Sequence, residues 1–364
     1  MSMLQCGKTV YRKLKFHQLL RISTVMNASE AEDVLQGFLP RSVPVFHQEN
    51  EINPEYDVMI IVPVYNVEPY LEQCIDSILN QRTEYTYQAV FVDDGSKDGS
   101  GKILDRRISA PHVVIHKENG GLSSARNFAL KNITGRYVFF LDSDDYLSPD
   151  AIESLVSAAD QEHADIAEGG YAVFNSQEIT DRILHGSSLS MIPYRDLFGF
   201  ACNKLICSSL MKDFCFPDGY LFEDTVMSAL LHPVCSCAVS VPVISYYYRD
   251  NMTGITRSSK AKPTAVDTFW MMRYYLEERL RRGQVLEQPD YVRYLTAIRR
   301  NWLRTEKMPD TILEAIFVQS CDLFKRCLPM TYEGSEERMR LLDQTIRNQS
   351  YEAFRFLMER WDIL

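Results

Sequence analysis

The sequence predicts an α/β fold, with a mixed, mainly parallel β-sheet, flanking helices and a helical C-terminal region. Between residues 58 and 159, apolar runs typical of strands buried on both faces alternate with amphipathic helical patterns. Strands that alternate with helices in this way form parallel sheets with crossover helices. From residue 262 onward the periodicity is helical. We therefore predict a basic helical extension (1–55), an α/β domain (56–258) and a helical region (259–364).

The predicted elements follow one another in a regular order. Buried strands are predicted at residues 58–64, 88–92, 112–116 and 137–141. Pro69 opens the helix after the first strand, because proline is tolerated in the first turn of a helix. A short helix through Ile103 and Leu104 follows the second strand, another runs from Gly121 to residue 130, and a further one covers residues 151–159. Residues 165–248 are mixed, with the strand-like segments IAEGGYAVF and VISYYY.

The bulk composition limits the class of protein. The chain has 364 residues, 46% of them hydrophobic, and a formal net charge of −10. It can bury a sizeable core, and its acidity argues against nucleic-acid binding as its main role. We expect neither a membrane span nor a secretory leader, because no apolar run is long enough and basic residues interrupt the N-terminal one. The nine cysteines form no paired framework, which is typical of a reducing cytosol.

The N-terminal extension is basic and amphipathic. No acid precedes Glu30, and the apolar residues of the stretch follow helical spacing. The basic residues are Lys8, Arg12, Lys13, Lys15 and Arg21, and the apolar ones are Phe16, Leu19, Ile22 and Met26. Such a helix can lie on an anionic membrane surface, or it can dock its apolar face on the main domain. The sequence favours neither interpretation.

Polar clusters follow three of the four predicted strands. They are Pro63-Val64-Tyr65-Asn66, Asp93-Asp94-Gly95-Ser96 and Asp142-Ser143-Asp144-Asp145. Ligands of parallel sheets bind beyond the carboxyl ends of the strands. So many carboxylates on one edge repel one another unless a cation is present. We therefore predict a ligand site with a cation at this edge.

The segment VFVDDGSKDGS (90–100) also matches most positions of a calcium-binding loop. That loop requires a preceding helix and a bidentate glutamate at its last position. Here a strand precedes it, and Asp105 occupies the last position. A plain hairpin turn explains Asp94-Gly95 but not Asp93. We interpret the segment as a strand end that meets a ligand, with Asp98 as a turn residue.

Asp142 and Asp144 form a DxD element directly after an apolar strand. Carboxylate oxygens suit Mn²⁺ or Mg²⁺, whose coordination substrate phosphates often complete. The segment HKENGGLSSARNFAL (116–130) supplies a helix N-terminus, which attracts anions. Arg126, about a turn inside this helix, can reach a nucleobase or a phosphate. A surface salt bridge from Arg126 to the acidic edge is the open alternative.

Four motifs in this order and spacing resemble the family 2 glycosyltransferases of the GT-A fold. They are strand-PVYN, VDDGS, N-x-G-x-x-x-ARN and FLDSDD. Three later motifs, CNKLI, FEDT and YYYR, resemble acceptor-side motifs of the branch that builds bacterial capsule, exopolysaccharide or lipopolysaccharide. The resemblance covers residues 58–257.

The resemblance implies a role for each matching residue. Asp93 binds the nucleobase, Asp142 faces the ribose, and Asp144 holds Mn²⁺ or Mg²⁺ on the diphosphate. The donor site is completed by Pro63, Tyr65, Asn66, Gly121, Arg126 and Arg249. Asp224 is the catalytic base, and Asn203, Lys204 and Glu223 lie on the acceptor side, where Glu223 is a structural or an acceptor-contact residue.

Two positions depart from the family pattern. Cys202 stands where an aromatic residue is usual before Asn-Lys, and Gly254 replaces a serine in the segment after Arg249. Both departures concern the acceptor side and the closing loop rather than the nucleotide site.

The implied activity is an inverting, metal-dependent transfer of a sugar from a nucleoside-diphosphate sugar, with UDP expected as the nucleotide. The acceptor would be a hydroxyl of a glycan or of a lipid-linked saccharide in surface polysaccharide synthesis, in the cytoplasm or peripherally at the inner membrane face. One alternative is a non-catalytic scaffold subunit, against which the intact set Asp93, Asp142, Asp144 and Asp224 argues. A sugar-nucleotide nucleotidyltransferase is the other, and it would need a glycine-rich basic loop where residues 63–66 stand.

Overall fold

The computed structural model describes residues 14–21, 24–251 and 262–363. The chain divides into two compact units. One comprises Pro44–Met252, and the other joins Met1–Val43 with Thr253–Leu364. The first unit holds every site residue predicted above. Within the described ranges, no helix is both long and apolar enough to cross a bilayer.

The Pro44–Met252 unit is built on one mixed sheet. Its strands are β1 (Glu51–Val64), β2 (Tyr87–Asp93), β3 (Val113–His116), β4 (Asn132–Phe140), β5 (Tyr146–Leu147), β6 (Ile166–Phe174), β7 (Ile179–Ile183), β8 (Ser190–Ile192), β9 (Lys204–Cys207) and β10 (Ala238–Arg249). The order across the sheet is β3-β2-β1-β4-β9-β6-β10-β5, with β7 beside β6 and β8 beside β10. Strands β1 to β4 are mutually parallel, and β9 runs antiparallel between β4 and β6. The predicted mixed, mainly parallel sheet is confirmed.

Helices connect the parallel strands as the alternation predicts. They are α2 (Glu68–Leu79), α3 (Ser100–Arg107), α4 (Leu122–Leu130) and α5 (Ala151–Glu162). The preceding helix, α1 (Ala28–Phe38), belongs to the other unit. Pro69 lies in the first turn of α2, whose apolar stripe of Leu71, Cys74, Ile75 and Ile78 is buried. The central part of β1, from Val58 to Val62, is also fully buried. This core fixes the ends of β1, β2 and β4 beside one another.

Two strand boundaries differ from the sequence prediction. β1 begins at Glu51 and β4 at Asn132, and these first residues pair with each other. The pairing then shifts register between Ile52 and Tyr56 of β1. This extension is largely exposed and contains Pro54, so it lacks the apolar run on which the prediction depended. The strand β9 was also missed as a strand, because four residues are too few to show a period.

The second unit is helical, as predicted for its C-terminal part. It contains α1 (Ala28–Phe38), α6 (Asp267–Arg281), α7 (Gln288–Thr305), α8 (Asp310–Cys327), α9 (Glu337–Arg347) and α10 (Tyr351–Met358). A capping box between Asn27 and Glu30 starts α1. Polar contacts tie the N-terminal segment to the later helices. Among them, Gln319 donates a hydrogen bond to the Ala28 carbonyl, and Arg41 forms a two-pronged ion pair with Asp267.

The predicted basic helix is described only in part. Residues 14–19 are helical, whereas Lys8, Arg12, Lys13 and Ile22 lie outside the described residues. The Phe16 side chain is buried, and the Leu19 carbonyl accepts a hydrogen bond from Ser350. For this short stretch the contacts agree with docking on protein, here within the helical unit.

Candidate active site

Asp93 ends β2 at the carboxyl edge of the sheet, where the sequence places it. Its side chain is 6% exposed, and both carboxylate oxygens are engaged. One oxygen accepts a hydrogen bond from the Ser96 N–H, and the other lies 2.8 Å from Nδ1 of His116. Burial alone would raise the pKa of Asp93, but the hydrogen bonds from Ser96 and His116 outweigh it, so the pKa is lowered. Asp93 is therefore a carboxylate held in one orientation.

Asp94 organises the loops around it. It is buried, and its carboxylate accepts hydrogen bonds from Lys117 and from the backbone N–H groups of Gly120 and Gly121. Gly95, which follows it, has φ +73°, and a Cβ there would lie 3.0 Å from the Asn119 nitrogen. Asp94 thus fastens the glycine-rich loop to the end of β2. The N–H of Gly121, which was expected to meet the donor, is bonded to this carboxylate.

The turn after β1 forms a second wall of the site. Pro63 is buried and pairs with Val92 in register, whereas Tyr65 is 47% exposed. Asn66 has φ +52° and makes two hydrogen bonds with the loop after β2. Its N–H donates to Ser96 Oγ, and its side-chain oxygen accepts from the Lys97 N–H. The loop is therefore clamped to β1, with the ring of Tyr65 left accessible.

Asp98 behaves as the turn residue that the sequence suggests. Its carboxylate accepts hydrogen bonds from the N–H groups of Glu68 and Ser100, at 3.0 Å each. It links the starts of α2 and α3 rather than facing the carboxylates at the strand ends.

The DxD aspartates lie on the loop after β4. Asp142 is 31% exposed and accepts a hydrogen bond from Arg126 Nη2 at 2.8 Å. The Asp144 carboxylate accepts one from Asn251 at 3.1 Å. Burial, and then the neighbouring charge of Asp142, raises the pKa of Asp144. Negative charge at Asp144 is therefore incompletely offset by the groups around it.

Asp145 holds the DxD loop in place, a role that the sequence analysis did not predict for it. It is buried, and its two oxygens accept hydrogen bonds from the Tyr246 hydroxyl and the Arg249 N–H, at 2.7 Å and 2.6 Å. The Tyr246 oxygen in turn accepts the Asp142 N–H. Burial raises the pKa of Asp145 well above its usual value. The third acid of the loop thus fastens it to β10, and the tyrosines of the YYYR motif were the available signal.

Arg249 ends β10 beside the DxD loop. Its Nε donates to the Asp144 carbonyl and its Nη2 to Gln73 Oε1, each at 2.6 Å. The guanidinium lies 4.7 Å from the ring centre of Tyr70 and 4.4 Å from that of Phe174. The Arg249 guanidinium therefore lies next to Asp144. The family resemblance predicts that the same side chain contacts the diphosphate. Residues 252–261, which include Gly254, lie outside the described residues.

Arg126 joins the DxD loop to the turn that carries Glu223. It is 2% exposed, and its two terminal nitrogens donate to Asp142 and to Glu223 Oε1, at 2.8 Å and 2.9 Å. Its guanidinium lies 5.1 Å from the ring centre of Phe216. This geometry agrees with the alternative in which Arg126 forms a salt bridge to the acidic edge instead of contacting the donor directly. The salt bridge is buried, whereas the sequence suggested one at the surface. Burial raises the pKa of Glu223, against the opposing charge of Arg126.

Asp224 follows Glu223 in a strained turn. Phe222 before it has φ +64°, a left-handed conformation that bulky residues rarely adopt. The turn is held by hydrogen bonds from the Thr225 hydroxyl and the Thr225 N–H to the Phe222 carbonyl. Such strain is concentrated at functional sites. Through Glu223 and Arg126, this turn is tied to the DxD loop.

Asn203 and Lys204 do not lie where an acceptor could touch them. Both are fully buried. Asn203 donates to the Gly169 carbonyl and accepts from Ser245, and the Lys204 ammonium lies 2.8 Å from Glu168 Oε1. The reason is β9, which carries Lys204 into the middle of the sheet. The structure therefore does not favour acceptor contact through these two side chains, and it indicates a role in supporting the sheet.

The residues at this edge fit a divalent cation that is shared with a ligand. Across the part of the chain that the structure describes, no three His, Cys, Asp or Glu side chains are grouped to bind an ion. The raised pKa of Asp144 indicates negative charge that a cation would offset. Mg²⁺ and similar ions are commonly held by one or two carboxylates together with substrate phosphates. Asp144 is the carboxylate that the sequence predicts for this position.

A family comparison agrees with this geometry. Residues 59–210 match the family model described as "Glycosyl transferase family 2". This region of the chain is similar to that family, and the unit that contains it is called the glycosyltransferase domain for that similarity. The matched span includes Asp93, Arg126, Asp142 and Asp144, and it ends before the Glu223-Asp224 turn.

Several curated proteins are similar to parts of this chain. Glycosyltransferase GlyA of Streptococcus pneumoniae is 46% identical over 123 residues, which cover 33% of this chain and 18% of that protein. The minor teichoic acid biosynthesis protein GgaB of Bacillus subtilis is 31% identical over 229 residues, 58% of this chain and 25% of that protein. Glycosyltransferase GlyG of S. pneumoniae is 28% identical over 221 residues, 55% of this chain and 73% of that protein. The chain thus spans only a small part of the length of GlyA and GgaB.

A solved structure confirms the fold of the glycosyltransferase domain. Staphylococcus aureus TarS 1–349, in complex with UDP-GlcNAc, superposes with a TM-score of 0.67 over 84% of this chain and 91% of that chain. The two sequences are 20% identical, so this likeness concerns the fold alone. The predicted GT-A fold is confirmed.

Proposed function

We propose that this protein transfers a sugar from a nucleoside-diphosphate sugar to a hydroxyl group of a glycan or lipid-linked saccharide, with inversion at the anomeric carbon. The observation that carries the proposal is the Arg126 bridge. It ties the turn that presents Asp224 to the DxD loop, through Glu223 on one side and Asp142 on the other. A base on the acceptor side and carboxylates on the donor side are thereby held at one site.

The donor lies along the carboxyl ends of β1, β2 and β4. Asp93 accepts a hydrogen bond from the nucleobase, and the exposed ring of Tyr65, between Pro63 and Asn66, packs against it. Asp142 faces the ribose and Arg249 the diphosphate. UDP is the nucleotide to test first, because TarS, which shares the fold, was solved with UDP-GlcNAc.

Asp144 would hold Mn²⁺ or Mg²⁺ against the diphosphate. The bound ion would stabilise the negative charge of the leaving diphosphate. Within the chain itself, Arg249 contributes a second positive charge beside the Asp144 carbonyl. This donor set is one carboxylate and the ligand's own oxygens, which is why affinity for the metal alone should be low.

Asp224 accepts the proton of the attacking hydroxyl. The acceptor oxygen forms a bond to the anomeric carbon, the bond from that carbon to the diphosphate oxygen breaks, and the hydroxyl proton moves to the Asp224 carboxylate. Glu223 orients the turn through Arg126 and does not exchange the proton. Asn203 and Lys204 support the sheet below.

The acceptor and location follow from chemistry that the relatives share. The names of GgaB and GlyG connect those proteins to teichoic acid synthesis and to glycosyl transfer, so we place this chain in cell-surface polymer synthesis. We locate it in the cytoplasm, peripherally at the inner membrane face, where the basic side chains of the N-terminal stretch can meet anionic lipid while its apolar face packs on protein. Binding to vesicles that contain anionic lipid tests this location.

The Asp224→Asn variant tests the catalytic assignment. Loss of a general base lowers the rate by about 10²–10⁴-fold, whereas UDP binding by calorimetry should be unchanged, because Asp224 does not touch the donor. Asp213→Asn is the matched control, since Asp213 is an exposed aspartate of the same unit. Normal transfer by Asp224→Asn would exclude it as the base. A wild-type protein that bound no UDP with or without Mn²⁺ would instead favour a non-catalytic scaffold.

A further inference from the structure

His116 lies between two carboxylates at the end of β3. Its Nδ1 is 2.8 Å from Asp93 Oδ2, and its Nε2 is 3.0 Å from Asp105 Oδ1. Asp93 comes from β2 and Asp105 from α3, so the imidazole links two elements through one ring. No sequence motif used above assigns this histidine a role.

The two contacts determine the protonation state of the ring. A neutral imidazole has one N–H donor and one bare nitrogen, whereas the doubly protonated ring donates from both nitrogens. A bare nitrogen beside a carboxylate oxygen would set lone pair against lone pair. Both contacts are therefore hydrogen bonds only when His116 is a cation. The bonds with Asp93 and then with Asp105 raise the pKa of His116.

Of the residues that the structure describes, His116 is the basic group that pairs with Asp93. A Cβ at Gly101 on α3 would lie 3.0 Å from Asp93 Oδ2 and 3.6 Å from the His116 ring, so a glycine stands where the two side chains meet. Lys117, the next residue in the chain, is turned toward Asp94. Lys102 on α3 is exposed. Among the described residues, the charged groups that contact the His116 ring are Asp93 and Asp105.

We propose that His116 is a positioning residue of the donor site, which in its protonated form holds the Asp93 carboxylate ionised and aimed at the nucleobase. This inference rests on the proposed function, since it assumes that Asp93 meets the donor. The Ser96 N–H fixes one oxygen of Asp93 and His116 the other, so the carboxylate cannot rotate while both bonds last. Loss of one His116 proton leaves a neutral ring with a single N–H, for which Asp93 and Asp105 compete. The bond to Asp93 then loses its positive charge, and when the remaining proton lies on Nε2 the Asp93 carboxylate is free to turn.

The direction of the pH effect follows from the sign of the shift. A histidine whose pKa is raised by its partners contributes its interaction below that pKa and loses it as the pH rises through it. Donor affinity should therefore fall at high pH. The change in affinity is at most about tenfold per pH unit for a single proton.

The test compares UDP affinity in wild type and His116→Gln between pH 6 and about pH 9 by calorimetry with Mn²⁺ present. The phosphates of UDP titrate identically for both proteins, so the ratio of the two Kd values isolates His116. We expect His116→Gln to bind about tenfold more weakly at low pH, the value of one charged hydrogen bond, and the ratio to approach one at high pH. Asp105→Asn, a change at an exposed side chain, should move this transition to lower pH. His47→Gln, at another exposed histidine of the unit, is the control and should leave the ratio at one throughout.

Three outcomes separate the inference from the function beneath it. A ratio that stays constant with pH while wild type binds UDP would overturn the role of His116 and leave the proposed function standing. An absence of UDP binding by wild type at every pH would overturn the proposed function and this inference with it. NMR titration of the histidine ring signal that is lost in His116→Gln gives an independent check, because a midpoint below the ordinary value of about 6.5 would contradict the doubly bonded cation.

Discussion

The Arg126 bridge leads to the most detailed prediction, for the variant Arg126→Met. Methionine keeps the aliphatic packing of the side chain while removing its charge. The buried Glu223 then loses the positive charge of Arg126. Asp142 loses the same partner, whose side chain is 3% exposed. Removal of one partner from a buried ion pair costs about 3–5 kcal/mol. We expect the lower value, about 3 kcal/mol, because Asp142 is already partly hydrated and Glu223 can take up a proton.

The loss should depend on pH in a defined direction. A carboxyl group with a raised pKa in the folded state binds more protons there than in the unfolded chain, so stability falls as the pH rises toward that pKa. Without Arg126 the pKa of Glu223 rises further, since that charge opposes the effect of burial. The destabilisation should therefore be larger at pH 8 than at pH 5.5. The double variant Arg126→Met/Glu223→Gln removes the ionisable group and should recover most of the lost stability.

Urea unfolding followed by far-UV circular dichroism at the two pH values measures these differences. The control is Arg136→Met, because Arg136 pairs with Asp57 and Asp160 at the surface and is 45% exposed. An exposed pair contributes about 1 kcal/mol or less. If Arg126→Met were no less stable than this control, or if the double variant were as unstable as the single one, the buried bridge would not hold the two sides of the site together.

Two further predictions concern the support of the sheet and the metal. Lys204→Met should lower the free energy of unfolding by about 3 kcal/mol, because the buried Glu168 loses the lysine charge and keeps its contacts with His185 and the Phe198 N–H. UDP affinity measured below the unfolding transition should not change, and a selective loss of activity without loss of stability would instead support acceptor contact by Lys204. Asp144→Asn should bind UDP equally with and without Mn²⁺, whereas wild-type binding should weaken when EDTA is added. Calorimetry in both conditions measures the two affinities. A variant that still bound UDP more tightly with Mn²⁺ would show that another group holds the ion.

The sequence was sufficient for the parallel half of the fold because that half has strong local signals. Residues 88–92 and 137–141 are apolar runs that end in acidic loops, and strand direction then brings Asp93, Asp142 and Asp144 to one edge. The position of each aspartate follows from topology alone. Motif order therefore predicted that these aspartates lie at one edge of the sheet.

The acceptor side was harder to predict, for physical reasons. Asn203 and Lys204 are polar, and polar residues are rarely buried unless they are paired. Their partners, Gly169, Ser245 and Glu168, lie far away in the sequence, so no local pattern reveals that the CNKLI segment starts a central strand.

Charge pairing was likewise invisible along the chain. Arg126 could reach either a ligand or the acidic edge, and only the folded arrangement shows that Asp142 and Glu223 engage it. The buried acid Asp145 and the ring of His116 are bound by residues on other strands and helices in the same way. Long-range partners of this kind require the structure.

The central claim is sugar transfer from a nucleoside-diphosphate sugar at the edge that carries Asp93, Asp144 and Asp224. Release of nucleoside diphosphate from a panel of nucleotide sugars, with Mn²⁺ and a mixture of surface glycans as acceptor, tests it most directly. We predict release from at least one UDP-sugar by wild type and its loss in both Asp144→Asn and Asp224→Asn. Release that persisted unchanged in both variants, or UDP binding that did not respond to Mn²⁺ and led to no release from any sugar, would contradict the claim.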